Sequence, residues 1–145
     1  MEVVTKSAQE TQKLGEKIGR DIVGGLPAGR RVLALYGELG SGKTTFVQGL
    51  ARGFGIKKQI LSPTFVFVRQ YSITGGVFYH VDLYRLAGGT EAESLGLEEI
   101  FADSAVVVAI EWAGKVKKIL PKKRIDVYFN YLKKDKRKIT IRQRK

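Results

Sequence analysis

Apolar residues recur along this chain in two periods, and stretches of the two alternate. From Thr11 to Val23, Leu14, Ile18 and Ile22 fall four apart, a one-face stripe that predicts an amphipathic helix in spite of Gly15 and Gly19. The run Gly24-Gly-Leu-Pro-Ala-Gly29 ends it. Arg31-Val-Leu-Ala-Leu-Tyr36 is a short continuous apolar segment, the pattern of a strand buried on both faces in a parallel sheet. After the glycine-rich stretch Gly37 to Gly42, helical spacing returns at Phe46, Val47, Leu50, Ala51 and Phe54, and Gly55 is a natural stop. Phe65 to Ser72 and Val77 to Leu83 are β-rich runs joined by Ile73-Thr-Gly-Gly76, which predicts an antiparallel hairpin. In the second run Phe78, His80 and Asp82 share one face, where His80 is either a packed residue or one that orients Asp82. Thr90 with Glu93 forms a capping box ahead of a short helical stretch through Phe101. Ala105-Val-Val-Val-Ala-Ile110 is the strongest central-strand signal, and it stops at Glu111-Trp112. Ile125, Val127, Phe129 and Tyr131 alternate with Asp126, Tyr128 and Asn130, and Ile139 and Ile141 alternate beyond Lys133 to Lys138, which predicts a half-exposed hairpin. The fold expected is α/β, a mixed sheet flanked by helices and carrying antiparallel hairpins.

The 145 residues suit a single domain spanning 1–145, and 43% apolar with 10% aromatic residues suffice for one core. Cysteine is absent and His80 is the sole histidine, so disulfides, thiol nucleophiles, thiolate zinc sites and His-rich metal centres are excluded. No apolar run approaches the ~20 residues of a membrane span. The first ten residues are mixed and polar, without the apolar core of a secretory leader, so a cytoplasmic setting is expected. The net charge of +12 is unevenly placed: residues 113 to 145 hold 14 of the 26 Lys and Arg but only Asp126 and Asp135 among the acids. The first 112 residues are neutral. Any function of the basic character therefore belongs to the last segment, either as a surface for an acidic partner such as a nucleic acid or as a solvated face.

Gly37-Glu-Leu-Gly-Ser-Gly-Lys-Thr44 matches Gly-x-x-x-x-Gly-Lys-[Ser/Thr] in full, between a predicted strand and a predicted helix. A chance match in a chain of this length is on the order of one in two hundred before that context is counted. Glycines at these positions let Gly37, Glu38, Leu39, Gly40, Ser41, Gly42 and Lys43 turn backbone N–H groups toward phosphate oxygens, at the positive end of a helix. The Lys43 ammonium would reach the terminal phosphates, and the Thr44 hydroxyl, followed by Thr45, would ligate Mg²⁺. Such a loop needs a carboxylate from a neighbouring strand, and Asp82 and Glu111 both stand at strand ends. Ser62-Pro-Thr-Phe65 lies where a switch segment would, so Thr64 is either a sensor of the γ-phosphate or part of a plain turn. Without the Asn-Lys-x-Asp of guanine recognition, ATP is the expected nucleotide.

Taken in order, Gly37 to Thr45, Ser62 to Phe65, His80-x-Asp-Leu-Tyr-Arg85 and Glu111-Trp112 resemble the bacterial TsaE (YjeE) family of tRNA threonylcarbamoyladenosine biosynthesis ATPases, over roughly residues 5 to 132. The resemblance implies a P-loop ATPase, slow alone, that works with TsaB and TsaD to modify the adenosine beside the anticodon of ANN-reading tRNAs. It implies roles too: Thr11 on the adenine side, Trp112 at the nucleotide, Thr44 and Glu111 as magnesium ligands, and Asp82 as an acid needed for hydrolysis. Glu38 stands where the family more often has Asp. The basic segment beyond Lys133 lies outside the family pattern. Lys133, Lys134, Lys136, Arg137 and Lys138 fall in no nucleotide motif, so their neutralisation is expected to leave hydrolysis unchanged. Two other classes carry the same P-loop: a small-molecule kinase, recognised by phosphate on an acceptor, and a nucleotide-regulated RNA-binding module, recognised by RNA affinity that survives loss of Lys43.

Overall fold

A computed structural model describes residues 1–25, 30–58, 60, 68–86 and 95–144. Seven strands form one sheet in the order β1-β7-β6-β2-β5-β4-β3, with β1 Glu2–Thr5, β2 Val32–Tyr36, β3 Val68–Ile73, β4 Gly76–Asp82, β5 Val106–Glu111, β6 Ile125–Tyr131 and β7 Arg137–Gln143. Strands β1, β6, β2, β5 and β4 run in one direction, and β7, between β1 and β6, and β3, at the other side, run against them. The continuous apolar runs are the central strands: Val32 to Leu35 and all of β5 are buried on both faces. The β3–β4 and β6–β7 hairpins form as the alternation predicts. Residues Phe65 to Phe67 and the Thr90–Glu93 capping box lie outside the described residues; helix α3, Leu97–Ala102, is the described part of that segment.

Helices α1, Ala8–Val23, and α2, Lys43–Gly53, pack side by side on one face of the sheet. Their apolar stripes close over Leu33, Leu35, Val127, Phe129, Ile139 and Ile141. Helix α1 begins a turn before Thr11, because Ser7 caps it: its Oγ accepts from the Glu10 N–H at 3.1 Å, while the Glu10 carboxylate accepts from the Lys6 N–H at 2.8 Å. The glycines that weaken α1 as an isolated helix are what bring it against α2. A Cβ on Gly15 would stand 2.3 Å from the Phe46 carbonyl oxygen, and one on Gly49 only 2.0 Å from that of Gln12. Gly49→Ala gains helix propensity of about 1 kcal/mol yet is expected to destabilise the protein by about 1–3 kcal/mol, because backbone must move to admit the methyl. A thermal melt of this variant checks the sign.

Two elements depart from the sequence expectation. Strand β1 is a short edge whose pairing partner, β7, lies far along the chain, so local pattern holds no sign of it. Following β5, a 3₁₀ segment, Ala113–Ile119, packs with α3 on the sheet's other face over Val32, Ala34, Val108 and Ile110. The basic segment is no appendage: Ile125, Val127, Phe129, Ile139 and Ile141 are core residues, and β6 pairs directly with the P-loop strand β2.

Candidate functional site

Parallel pairing sends the carboxyl ends of β2, β4 and β5 to one edge of the sheet, and the residues that follow them converge there. Tyr36 leads into the loop Gly37 to Gly42, whose glycines at 37, 40 and 42 have φ of 153°, 75° and 106°. A Cβ at Gly37 would meet Ser41 Oγ at 2.7 Å and the Phe129 carbonyl at 2.9 Å, so this position needs glycine for space as well as conformation. Lys43 opens α2 and is buried. Its ammonium donates to the carbonyls of Gly37 and, at 2.9 Å, Glu38, and lies 4.4 Å from the centre of the Trp112 ring. Burial pulls the Lys43 pKa below the ordinary lysine value, against the charges of Glu111, Asp82 and Glu38. Ser41 is also buried, and its hydroxyl has no partner among the described residues. Glu38 and Leu39 expose their side chains, so each contributes backbone to the loop.

Asp82 and Glu111 are register neighbours at the ends of β4 and β5. Their surroundings differ. Glu111 is buried, with the Thr44 hydroxyl 3.2 and 3.3 Å from its two oxygens and His80 Nε2 at 2.6 Å from Oε2. A carboxylate only accepts, so Nε2 carries the hydrogen. His80, fully buried, therefore orients Glu111; the expectation that it orients Asp82 is corrected, because its ring reaches across to the neighbouring strand. Asp82 is half-exposed and accepts from the Tyr84 N–H at 3.0 Å. Burial raises its pKa, and Glu111 adds to the rise, while the Tyr84 hydrogen bond, His80 and Lys43 oppose it.

The Thr44 hydroxyl and Glu111 carboxylate are hard oxygen donors brought together in one place, a set that suits Mg²⁺ held by one or two protein ligands plus nucleotide phosphates. Among the described residues no three of His, Asp and Glu form an all-protein cage. If His80 holds Glu111 for a metal, His80→Leu should weaken Mg²⁺ affinity of the nucleotide complex by about 10–100-fold. His80→Gln, which restores an N–H donor, should recover part of it, with metal-free nucleotide binding unchanged in both. Magnesium titrations at saturating nucleotide make the comparison.

Trp112 takes φ 61° and ψ 39°, a left-handed conformation that costs about 1–3 kcal/mol in a residue with a side chain. This bend lays its ring over Lys43 and against Tyr84, ring centres 5.2 Å apart. Gly40, Gly42, Lys43, Thr44, Thr45, Asp82, Glu111 and Trp112 thus line one cavity of about 310 Å³, together with Leu39, Tyr84 and Arg137. A smaller recess of about 200 Å³ beside Gly42 and Thr45 is lined by Ser7, Ala8, Thr11, Asp135 and Arg137. Buried Thr11 is held there by a 2.7 Å hydroxyl contact with Thr5 of β1. Every site residue expected from the sequence is therefore at this edge of the sheet except Thr64, which lies outside the described residues.

A sequence model of the family described as "Threonylcarbamoyl adenosine biosynthesis protein TsaE" matches residues 5–139. The chain belongs to the TsaE family. It is 37% identical over 143 residues to the tRNA threonylcarbamoyladenosine biosynthesis protein TsaE of Treponema pallidum, covering 97% of this chain and 99% of that one. With the protein of the same name from Bacillus subtilis it shares 40% identity over 110 residues, 76% of this chain and 68% of the relative. Among solved structures it is similar to YdiB of Bacillus subtilis, at TM-score 0.80 and 28% identity, over 100% of this chain and 86% of that one. TsaE membership carries a role in tRNA threonylcarbamoyladenosine biosynthesis and implies nucleotide binding. Among the described residues no helix is long and apolar enough to cross a membrane.

Two residues of this TsaE-family site were assigned no role from the sequence. Tyr84 stands inside the motif His80 to Arg85, two residues after Asp82, without a part of its own. Arg137, on β7, reaches the P-loop: its Nη2 donates to the Gly40 carbonyl at 3.2 Å, and its guanidinium lies 4.6 Å from the Tyr131 ring centre. The premise that the hairpin residues lie apart from the nucleotide motif is corrected for Arg137, which lines both recesses. A chain separation of 97 residues hides that contact from any local motif.

Proposed function

We propose that this chain binds ATP with Mg²⁺ in the cavity between the P-loop and Trp112 and hydrolyses it, working with TsaB- and TsaD-type partners to modify the adenosine beside the anticodon of ANN-reading tRNAs. One observation carries the proposal: an ammonium, a hydroxyl and two carboxylates, from Lys43, Thr44, Asp82 and Glu111, line a single cavity. Backbone N–H groups of the loop and the positive end of α2 receive the phosphates. Lys43 places a cation at the terminal phosphates, where negative charge is highest. Thr44 and Glu111 would hold the metal, which would supply charge neutralisation to the phosphate oxygens. Asp82, half-exposed at the rim of the same cavity, takes or orients the proton of the attacking water. Thr11 and Arg137 border the adenine and ribose end.

ATP with Mg²⁺ is expected to bind at least tenfold more tightly than GTP, a gap of ~1.4 kcal/mol. Calorimetry with both nucleotides, run beside an assay for inorganic phosphate release and a pull-down of TsaB- and TsaD-type proteins, tests the reading. Equal affinities would remove the adenine assignment. Phosphate appearing on an acceptor rather than in solution would make the protein a kinase.

A further inference from the structure

One half of the sheet is finished on only one side. Its α1–α2 face is closed by the main core, whereas on the opposite face no helix among the described residues packs on the β6–β7–β1 half. The pairings set Asp126, Tyr128 and Asn130 of β6 opposite Arg142, Thr140 and Lys138 of β7, and β1 adds Glu2 and Val4. Val4 is 50% exposed, and Asn130 and Arg142 are exposed. Directly beside them, Tyr36 of β2 stacks on Tyr128, ring centres 4.9 Å apart and planes 15° from parallel.

This surface is built on a buried anion. Asp126 is fully buried and accepts from Arg124 Nε at 2.8 Å and from Arg144 Nε at 2.6 Å, and the Tyr36 hydroxyl lies 3.4 Å away. Burial and the Asp126 charge push the Tyr36 hydroxyl up to about 12, so it stays a neutral donor. Arg144 also donates to the Tyr128 hydroxyl at 3.3 Å, and the Arg142 guanidinium stands 5.9 Å from the Tyr128 ring centre. One carboxylate thus holds Arg124 and Arg144, accepts from Tyr36 and, through Arg144, positions Tyr128. The result is a platform with excess positive charge, edged by exposed Lys122 and Lys123.

Aromatic rings and guanidinium planes offered side by side are what unstacked bases and their phosphates bind, whereas duplex RNA hides its base faces and offers mainly phosphate and ribose. We propose that this open sheet face, centred on Tyr128, Arg142 and Arg144, is a platform for a single-stranded segment of RNA. The choice of RNA rests on the tRNA-modification reading above; the site itself is separate from the nucleotide cavity. Arg142 meets phosphate in the planar, two-pronged manner of guanidinium, Arg144 holds Tyr128 in place between Asp126 and the ring hydroxyl, and a base stacks at Tyr128.

Fluorescence anisotropy at fixed salt, with an anticodon stem–loop and a blunt RNA duplex of equal phosphate count, tests the platform in the full chain. The stem–loop is expected to bind about tenfold more tightly than the duplex, since one stacked base is worth about that factor. Tyr128→Leu and, separately, Arg142→Gln should erase that preference. The hairpin-tip variant Lys133→Gln, Lys134→Gln, Lys136→Gln should keep it while weakening both RNAs alike. Equal binding of stem–loop and duplex by the wild type, or equal losses in tip and platform variants, would overturn the proposal in favour of general surface charge. ATP hydrolysis, followed in the same samples, should be unchanged in Tyr128→Leu and Arg142→Gln. Failure of hydrolysis in the wild type would count against the ATPase reading and leave the RNA comparison standing.

Discussion

Lys43→Ala and Thr44→Ala are each expected to reduce ATP hydrolysis by about 10²–10³-fold or more while the domain stays folded, the scale seen when one preorganised charge or donor is removed from a developing anion. The expectation follows from where the two side chains sit. Lys43 is buried with its ammonium on the loop carbonyls and under Trp112, so its charge is poorly screened and acts at short range. Thr44 shares Glu111 with His80, and a metal held there loses a ligand with the hydroxyl. Lys43→Ala also relieves a desolvated cation, because burial pulls its pKa down. A circular dichroism melt no lower than the wild type, beside a phosphate-release assay near background, is the expected pair of results. Retained turnover in either variant would take the P-loop out of the chemistry.

Glu111→Ala and Asp82→Ala, though neighbours, should fail in different ways. Glu111 is buried against Thr44, so its loss is expected to lower Mg²⁺-dependent nucleotide affinity by about tenfold or more. Asp82 is half-exposed and bonded to Tyr84, so its loss is expected to slow the chemical step by about 10²–10⁴-fold with binding nearly intact. The pH dependence follows from the raised pKa of Asp82. With Asp82 as the proposed base the ionised form is the active one, so turnover should fall as pH drops through a value above the ordinary carboxylate range. Stability runs the other way. A carboxyl whose folded pKa is raised favours the folded state below its ordinary pKa and loses that contribution as pH rises through the raised one. Asp82→Asn should therefore melt slightly above the wild type at neutral pH, and the gap should close in acid. Calorimetry with and without Mg²⁺ would reverse the two roles if Asp82→Ala were the variant that lost metal dependence.

How much of this was legible in the chain depends on how far each contact reaches. The P-loop is local: three glycines at fixed spacing must take positive φ, and a strand and helix must flank them, so the motif and its geometry are one statement. The ends of β4 and β5 were legible for a related reason. An apolar run long enough to be a central strand marks its own terminus, and parallel pairing puts Asp82 and Glu111 side by side. Contacts that cross the fold were not legible. His80 shares a face with Asp82 along its own strand, yet its hydrogen bond goes to Glu111 on the next. Arg137 reads as one of a run of charges until β7 carries it over Gly40. Gly15 and Gly49 look like flaws in two helices until the helices touch. Strand β1 depends wholly on its partner.

Trp112 is the sole tryptophan of the chain, and its ring lies 4.4 Å from the Lys43 ammonium, so its fluorescence reports directly on the proposed nucleotide cavity. Titrating ATP with Mg²⁺ into the wild type should give a saturable change in Trp112 emission whose midpoint agrees with calorimetry, and Lys43→Ala should abolish both. Calorimetric saturation that survives in Lys43→Ala with a flat Trp112 signal would place the nucleotide elsewhere, and an absence of any ATP binding by the wild type would contradict the assignment outright.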